Sequence, residues 1–148
     1  IYLLCIYFNS ILCYNVRNEV ILYLKYIQRG RAMKVAVVGS RNLTVTDLHR
    51  YLPQGVTEIV SGGARGIDTC AREYAQRNGL KLTEFFPDYQ KYGRTAPLKR
   101  NLQIIAYADI VVVFWDGESH GTKFVIERCR KMNKKVILYR SRIVNAEK

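Results

Sequence analysis

The sequence predicts an α/β domain, a three-layer α/β/α sandwich built on a five-stranded, mainly parallel sheet. Two observations carry that prediction. From Met33 onward, short β-branched runs alternate with amphipathic helical stretches, the mark of parallel strands joined by crossover helices. The runs Lys34–Gly39 and Asp109–Trp115 are apolar almost without a break, as strands covered on both faces are.

Each element follows in order. Lys34–Gly39 (KVAVVG) is the first strand, ending in glycine. Thr46–Tyr51 is a weak short helix closed by Pro53 and Gly55. Thr57–Ser61 is the second strand. Ile67, Cys70, Ala71, Tyr74 and Ala75 recur at helical spacing, and Asn78-Gly79 stops that helix. Leu80–Phe86 is the third strand, and Pro87–Thr95 reads as a polar, aromatic loop with no regular pattern. Pro97 suits the first turn of a helix whose apolar face is Leu98, Leu102, Ile105 and Ala106. Asp109–Trp115 is the fourth strand, Gly117–Thr122 leads into a helix reaching about Met132, and Lys135–Tyr139 is the fifth strand. The domain is bounded as 33–140, with 141–148 a polar tail.

Residues 1–32 look foreign to the rest. They hold five Ile, five Tyr and five Leu, with no Pro and no Asp, residues favoured by AT-rich codons. The uncharged run Ile1–Val16 is 16 residues long, short of the roughly 20 a membrane helix needs. No positive segment precedes it and no small-residue cleavage motif follows. The expectation is a translated upstream extension with Met33 as the true start, a disordered or helical segment or a membrane anchor being the alternatives.

Composition narrows the function. Apolar residues make up 49% and charged residues 24%, ordinary for a globular chain, so disorder and coiled coil are poor readings. The formal net charge of +12 favours anionic partners. Four cysteines at 5, 13, 70 and 129 form no CxxC pair, and the histidines are His49 and His120 alone, which argues against a structural zinc site or a disulfide framework. Cys70 and Cys129 fit buried apolar positions in a reducing, cytoplasmic setting. No metal, cofactor or membrane partner is implied.

In such sheets ligands bind beyond the carboxyl ends of the strands. The first strand ends in Gly39, Ser40 and Arg41. The second ends in Ser61, Gly62, Gly63, Ala64, Arg65 and Gly66, with Asp68 in the following helical turn. Three glycines there allow close backbone approach, and the helix start aims N–H groups and a positive dipole end at an anion. Arg65 suits a bidentate phosphate contact, and Asp68 a ribose hydroxyl or the dipole. The fourth strand is followed by Gly117, Ser119, Gly121 and Thr122, which offer close approach and hydroxyls at a helix start; Ser119 also suits a plain N-cap. Arg100 and Asn101 stand on the helix before the most apolar strand, either as a solvated face or facing ligand. The basic cluster Arg128, Arg130, Lys131, Lys134 and Lys135 suits a helix carboxyl end.

Four ordered motifs carry a resemblance: KVAVVGSR, SGGARGID followed by Ala71, PLKRN before YADIVVVFWDG, and SHGT entering a helix. On these, Met33–Tyr139 resembles the SLOG superfamily (Smf/DprA and LOG-like Rossmannoid proteins), and within it the YspA/YpsA-related branch. The resemblance implies a Rossmann-like fold that senses or processes a nucleotide or nucleotide-derived small molecule. Two relatives sharpen it. The LOG phosphoribohydrolases cleave the base from a nucleoside monophosphate. Against them Arg100 falls on the catalytic arginine and Gly121-Thr122 on the Gly-Thr pair, while the glutamate position is Val125, with Glu127 two residues beyond. Arg100 and Glu127 are thus the catalytic candidates. DprA shares the SGGARGID-type loop and binds single-stranded DNA, which makes single-stranded nucleic acid an alternative partner. An apolar helix face leaves room for a homodimer.

Overall fold

The computed structural model describes residues 32–140, so the expectations for residues 1–31 and for the tail lie outside it. Five strands form one parallel sheet: β1 (Met33–Gly39), β2 (Val56–Ser61), β3 (Lys81–Glu84), β4 (Ile110–Trp115) and β5 (Lys135–Arg140), in the order β3-β2-β1-β4-β5. The helices are α1 (Ile67–Arg77), α2 (Tyr89–Tyr92), α3 (Ala96–Tyr107) and α4 (His120–Lys131). The chain winds outward from β1 to β3, then crosses back to place β4 on the other side of β1. The strand order therefore reverses between β1 and β4.

Period-two alternation along the strands decides the layers. Val35 and Val37 of β1, with Val112 and Phe114 of β4, pack under Ile67, Ala71 and Ala75 of α1. Ala36 and Val38, with Val111 and Val113, pack under Ile104 and Ile105 of α3 and Val125, Ile126 and Cys129 of α4. The result is the α/β/α sandwich the alternation predicts, and its Rossmann-like arrangement agrees with the sequence. Cys129 is fully buried, and burial pushes its thiol up to about 11.

Four local expectations are corrected. The buried face of α3 is Ala96, Arg100, Ile104 and Ile105 rather than Leu98, Leu102, Ile105 and Ala106, and Leu98 and Ala106 are exposed. β3 is shorter than Leu80–Phe86: it is an edge strand paired with β2 alone. The Phe85 N–H still reaches Ser61 O (2.9 Å), but Pro87 has no N–H to give and Phe86 leaves the sheet. The stretch Pro87–Thr95 is not irregular. Asp88 accepts from the Lys91 N–H (2.9 Å) and starts α2, and a 3-10 turn over Gly93–Thr95 leads into α3. Thr46–Tyr51 is a 3-10 turn over Leu48–Tyr51. It is held by Tyr51, whose ring sits edge-on to Phe114 (5.3 Å) and Tyr139 (4.9 Å), contacts invisible to local pattern.

Candidate ligand cleft at the strand-order reversal

The site is assembled by three loops at the carboxyl ends of β1, β2 and β4, with α3 as its floor. Gly39 ends β1 because nothing larger fits. A Cβ there would lie 2.6 Å from both Ile67 Cγ1 and Phe114 O. Ser40 is fully buried; its Oγ accepts from the Asp116 N–H (3.1 Å) and ties the first loop to the third.

The loop after β2 bends twice through left-handed backbone, at Gly63 (φ 68°) and Gly66 (φ 78°). Gly66 is also pressed on the Arg41 backbone (2.6 Å from an added Cβ), so the first and second loops meet there. Gly66 stands at the amino end of α1, which no side chain caps. Asp68, buried in the first turn, folds back: its Oδ2 accepts from the Ala64 N–H (3.2 Å). Burial pushes the Asp68 carboxyl above its usual range, opposed by the Ala64 N–H and by the charge of Arg100. Ser61 Oγ donates to Asp68 O (3.4 Å) from a fully buried position.

Arg100 reaches up from α3 between these loops. Its Nη1 donates to Gly62 O, stands 3.5 Å from Phe85 O, and lies 4.0 Å from Asp68 Oδ2. The side chain is 9% exposed, and Nε has no hydrogen-bond partner. Burial lowers the guanidinium's proton affinity and nearby Arg41 pushes the same way, against Asp68; the group remains charged at neutral pH. A guanidinium so desolvated, with an orphaned donor, is short of an acceptor.

Asp116 organises the loop after β4. Its Oδ1 accepts from the N–H groups of Glu118 (2.9 Å) and Ser119 (2.8 Å). Burial raises its carboxyl, but those two N–H groups and Ser40 outweigh burial and hold it below the ordinary value. Ser119 occupies the N-cap position of α4 without capping it; its Oγ instead accepts from Thr122 Oγ1 (3.1 Å).

Together these enclose an open cleft of about 500 Å³. Of the predicted residues, Gly39, Arg41, Ala64, Arg65 and Asp68 line it from the first two loops and the start of α1. Arg100 and Asn101 line it from α3, and Ser119, Gly121 and Thr122 from the third loop. Gly62 and Gly63 line a shallower groove of about 320 Å³ alongside. Ser40 and Ser61 work behind the walls, Gly66 faces away, and Gly117 lies outside the lining. Glu127 is exposed and does not line the cleft, whereas Val125 forms part of its wall. Sequence reasoning missed Asp116, although an Asp whose side chain reaches the N–H two residues on is a known turn signal. It also missed Phe86 and Tyr89, which no periodic pattern marks. Among the described residues no three His, Cys, Asp or Glu side chains gather as a metal site, and no helix is long and apolar enough to cross a membrane.

Comparison with known proteins adds two findings. Residues 33–92 match the family described as YspA, cpYpsA-related SLOG family. The fold is similar to DNA processing protein A (DprA) from Streptococcus pneumoniae, with a TM-score of 0.60 and 22% identity over 76% of this chain. The chain spans about half of that protein, 52% of its length. No curated protein matches the sequence.

Proposed function

We propose, for a chain whose residues 33–92 match the YspA, cpYpsA-related SLOG family, that the cleft between β1 and β4 binds a nucleotide or nucleotide-derived ligand by its phosphate. The observation that carries this reading is Arg100: a buried guanidinium with an unpartnered Nε, set beside the uncapped amino end of α1. Both features attract an anion, and a low-dielectric setting strengthens the attraction. Arg41 and Arg65 are exposed at the same mouth and supply bidentate donors. The position also has general support, since open α/β sheets bind ligands where the strand order reverses. The carboxylates in the lining suit ribose hydroxyls rather than phosphate. The reading is one of binding, in a sensing or regulatory role. Base cleavage is not part of it, because Glu127 stands outside the cleft and Val125 fills the wall.

A second reading, single-stranded nucleic acid, is favoured by the net charge of +12 and by the likeness to a DNA processing protein. It predicts affinity that falls steeply with salt, by about 0.7 in log–log slope for each phosphate neutralised.

Thermal unfolding of the chain with nucleoside mono-, di- and triphosphates, ADP-ribose, NAD and a short single-stranded oligonucleotide tests both. A ligand at 100 times its dissociation constant adds about 2.7 kcal/mol. The expected result is a shift with nucleotides that persists in salt and is lost in Arg65→Ala, whose exposed side chain bears on the ligand and not on the core. Equal shifts with every polyanion that vanish in salt would overturn the nucleotide reading.

A further inference from the structure

Three arginines and two exposed aromatic rings meet in the groove beside the cleft. The groove is lined by Arg41, Arg65 and Arg100, and by Phe86 and Tyr89, with no carboxylate in its lining. The main cleft differs: Asp68, Asp116 and Glu118 line it as well. Phe86 is 64% exposed and Tyr89 58%, the two most exposed large hydrophobic side chains among the described residues.

Neither ring is there by default. The Phe86 backbone is fixed on both sides, by the Phe85 N–H bonded to Ser61 O and by Pro87. Its ring rests on Gly63, where a Cβ would collide with it, as a Cβ on Gly62 would collide with the Arg100 guanidinium. The ring and the guanidinium therefore stand on consecutive residues, whose Cα atoms are about 3.8 Å apart. Tyr89 is the first residue of α2, held by the Asp88 cap. An apolar face set rigidly in water beside buried positive charge has no folding purpose of its own. It suits a partner that is flat, aromatic and anionic at one end.

We infer that Phe86, with Tyr89 beside it, is the stacking platform for the base of a nucleoside 5′-phosphate whose phosphate lies at Arg100, Arg41 and Arg65. This rests on the phosphate reading above and adds the seat of the base. The groove and the cleft share Arg41, Ala64, Arg65, Pro97 and Arg100, so one ligand spans them. Recognition by a π-face is tolerant of base identity, because every base offers one. Purines bind best, having the larger face.

Titration calorimetry of the full chain at fixed ionic strength tests this, using the four ribonucleoside 5′-monophosphates and ribose 5-phosphate as the base-free probe. All four nucleotides should bind more tightly than ribose 5-phosphate, by about five- to a hundred-fold. Phe86→Ala and Phe86→Leu should each erase that margin and leave ribose 5-phosphate affinity unchanged. Phe86→Trp should keep the margin or widen it. The leucine variant separates stacking from simple apolar contact, and a ring this exposed is replaced without loss of the core. If Phe86→Ala binds nucleotides as the parent does, the platform is refuted and the phosphate site stands. If neither nucleotides nor ribose 5-phosphate binds the parent chain, the phosphate reading falls and the platform with it.

Discussion

The Asp116 carboxylate holds the loop after β4 in shape by accepting two N–H groups, while its backbone N–H donates to Ser40 Oγ. Its folded proton affinity is below the ordinary carboxylate value of 3.8. The sign follows directly. The native state binds the proton more weakly than the unfolded chain, so the stabilisation is present above that value and lost as pH falls through the lower folded one. Asp116→Ala should lose about 1 kcal/mol at neutral pH, the size of a lost cap. In acid the variant and the parent should converge. Urea unfolding at the two pH values checks this; a gap that persists in acid would place the effect in packing instead. Arg100 works differently. It binds two carbonyls as a strut and still has a donor without a partner.

The contacts between elements decide which glycines matter. Gly39 sits where the end of β1 meets the start of α1, and a methyl group there collides with Ile67 and with the Phe114 carbonyl. Neither can yield without moving α1 or β4. Gly39→Ala should therefore destabilise by about 1–3 kcal/mol, as overpacking does. Gly121 is the control. It lies in the first turn of α4 with no atom within 4 Å of an added Cβ. Gly121→Ala should leave stability unchanged or raise it by up to about 1 kcal/mol. Thermal unfolding of the two variants side by side tests the contrast. The sequence shows two equivalent-looking glycines after strands; only the packing of α1 on β1 separates them.

For the molecule as a whole, the sheet order sets a gradient of stability. β1 and β4 are paired on both edges and covered on both faces, whereas β3 and β5 are edge strands with one neighbour each. Local opening is easiest where contacts are fewest. Amide hydrogen exchange should be slowest in Val35–Val38 and Val111–Phe114, and faster by at least an order of magnitude in Lys81–Glu84. Equal protection in β3 would mean that something covers that edge.

The sequence by itself determined the layers. Unbroken apolar runs made the central strands, helical spacing made α1, and glycines at strand ends located the loops, because each is a local pattern; the face α3 buries was decided by packing. It also brought Arg41, Arg65 and the loop glycines together on paper, since the α/β rule puts strand ends on one side, while it left Arg100 open between a solvated face and the site. Tertiary structure decided the rest. It buried Arg100 and aimed it at Gly62, set Ser40 and Ser61 behind the walls, left Glu127 outside, and stood Phe86 on Gly63. Those facts depend on distances between residues far apart in the chain, which no window of local sequence contains.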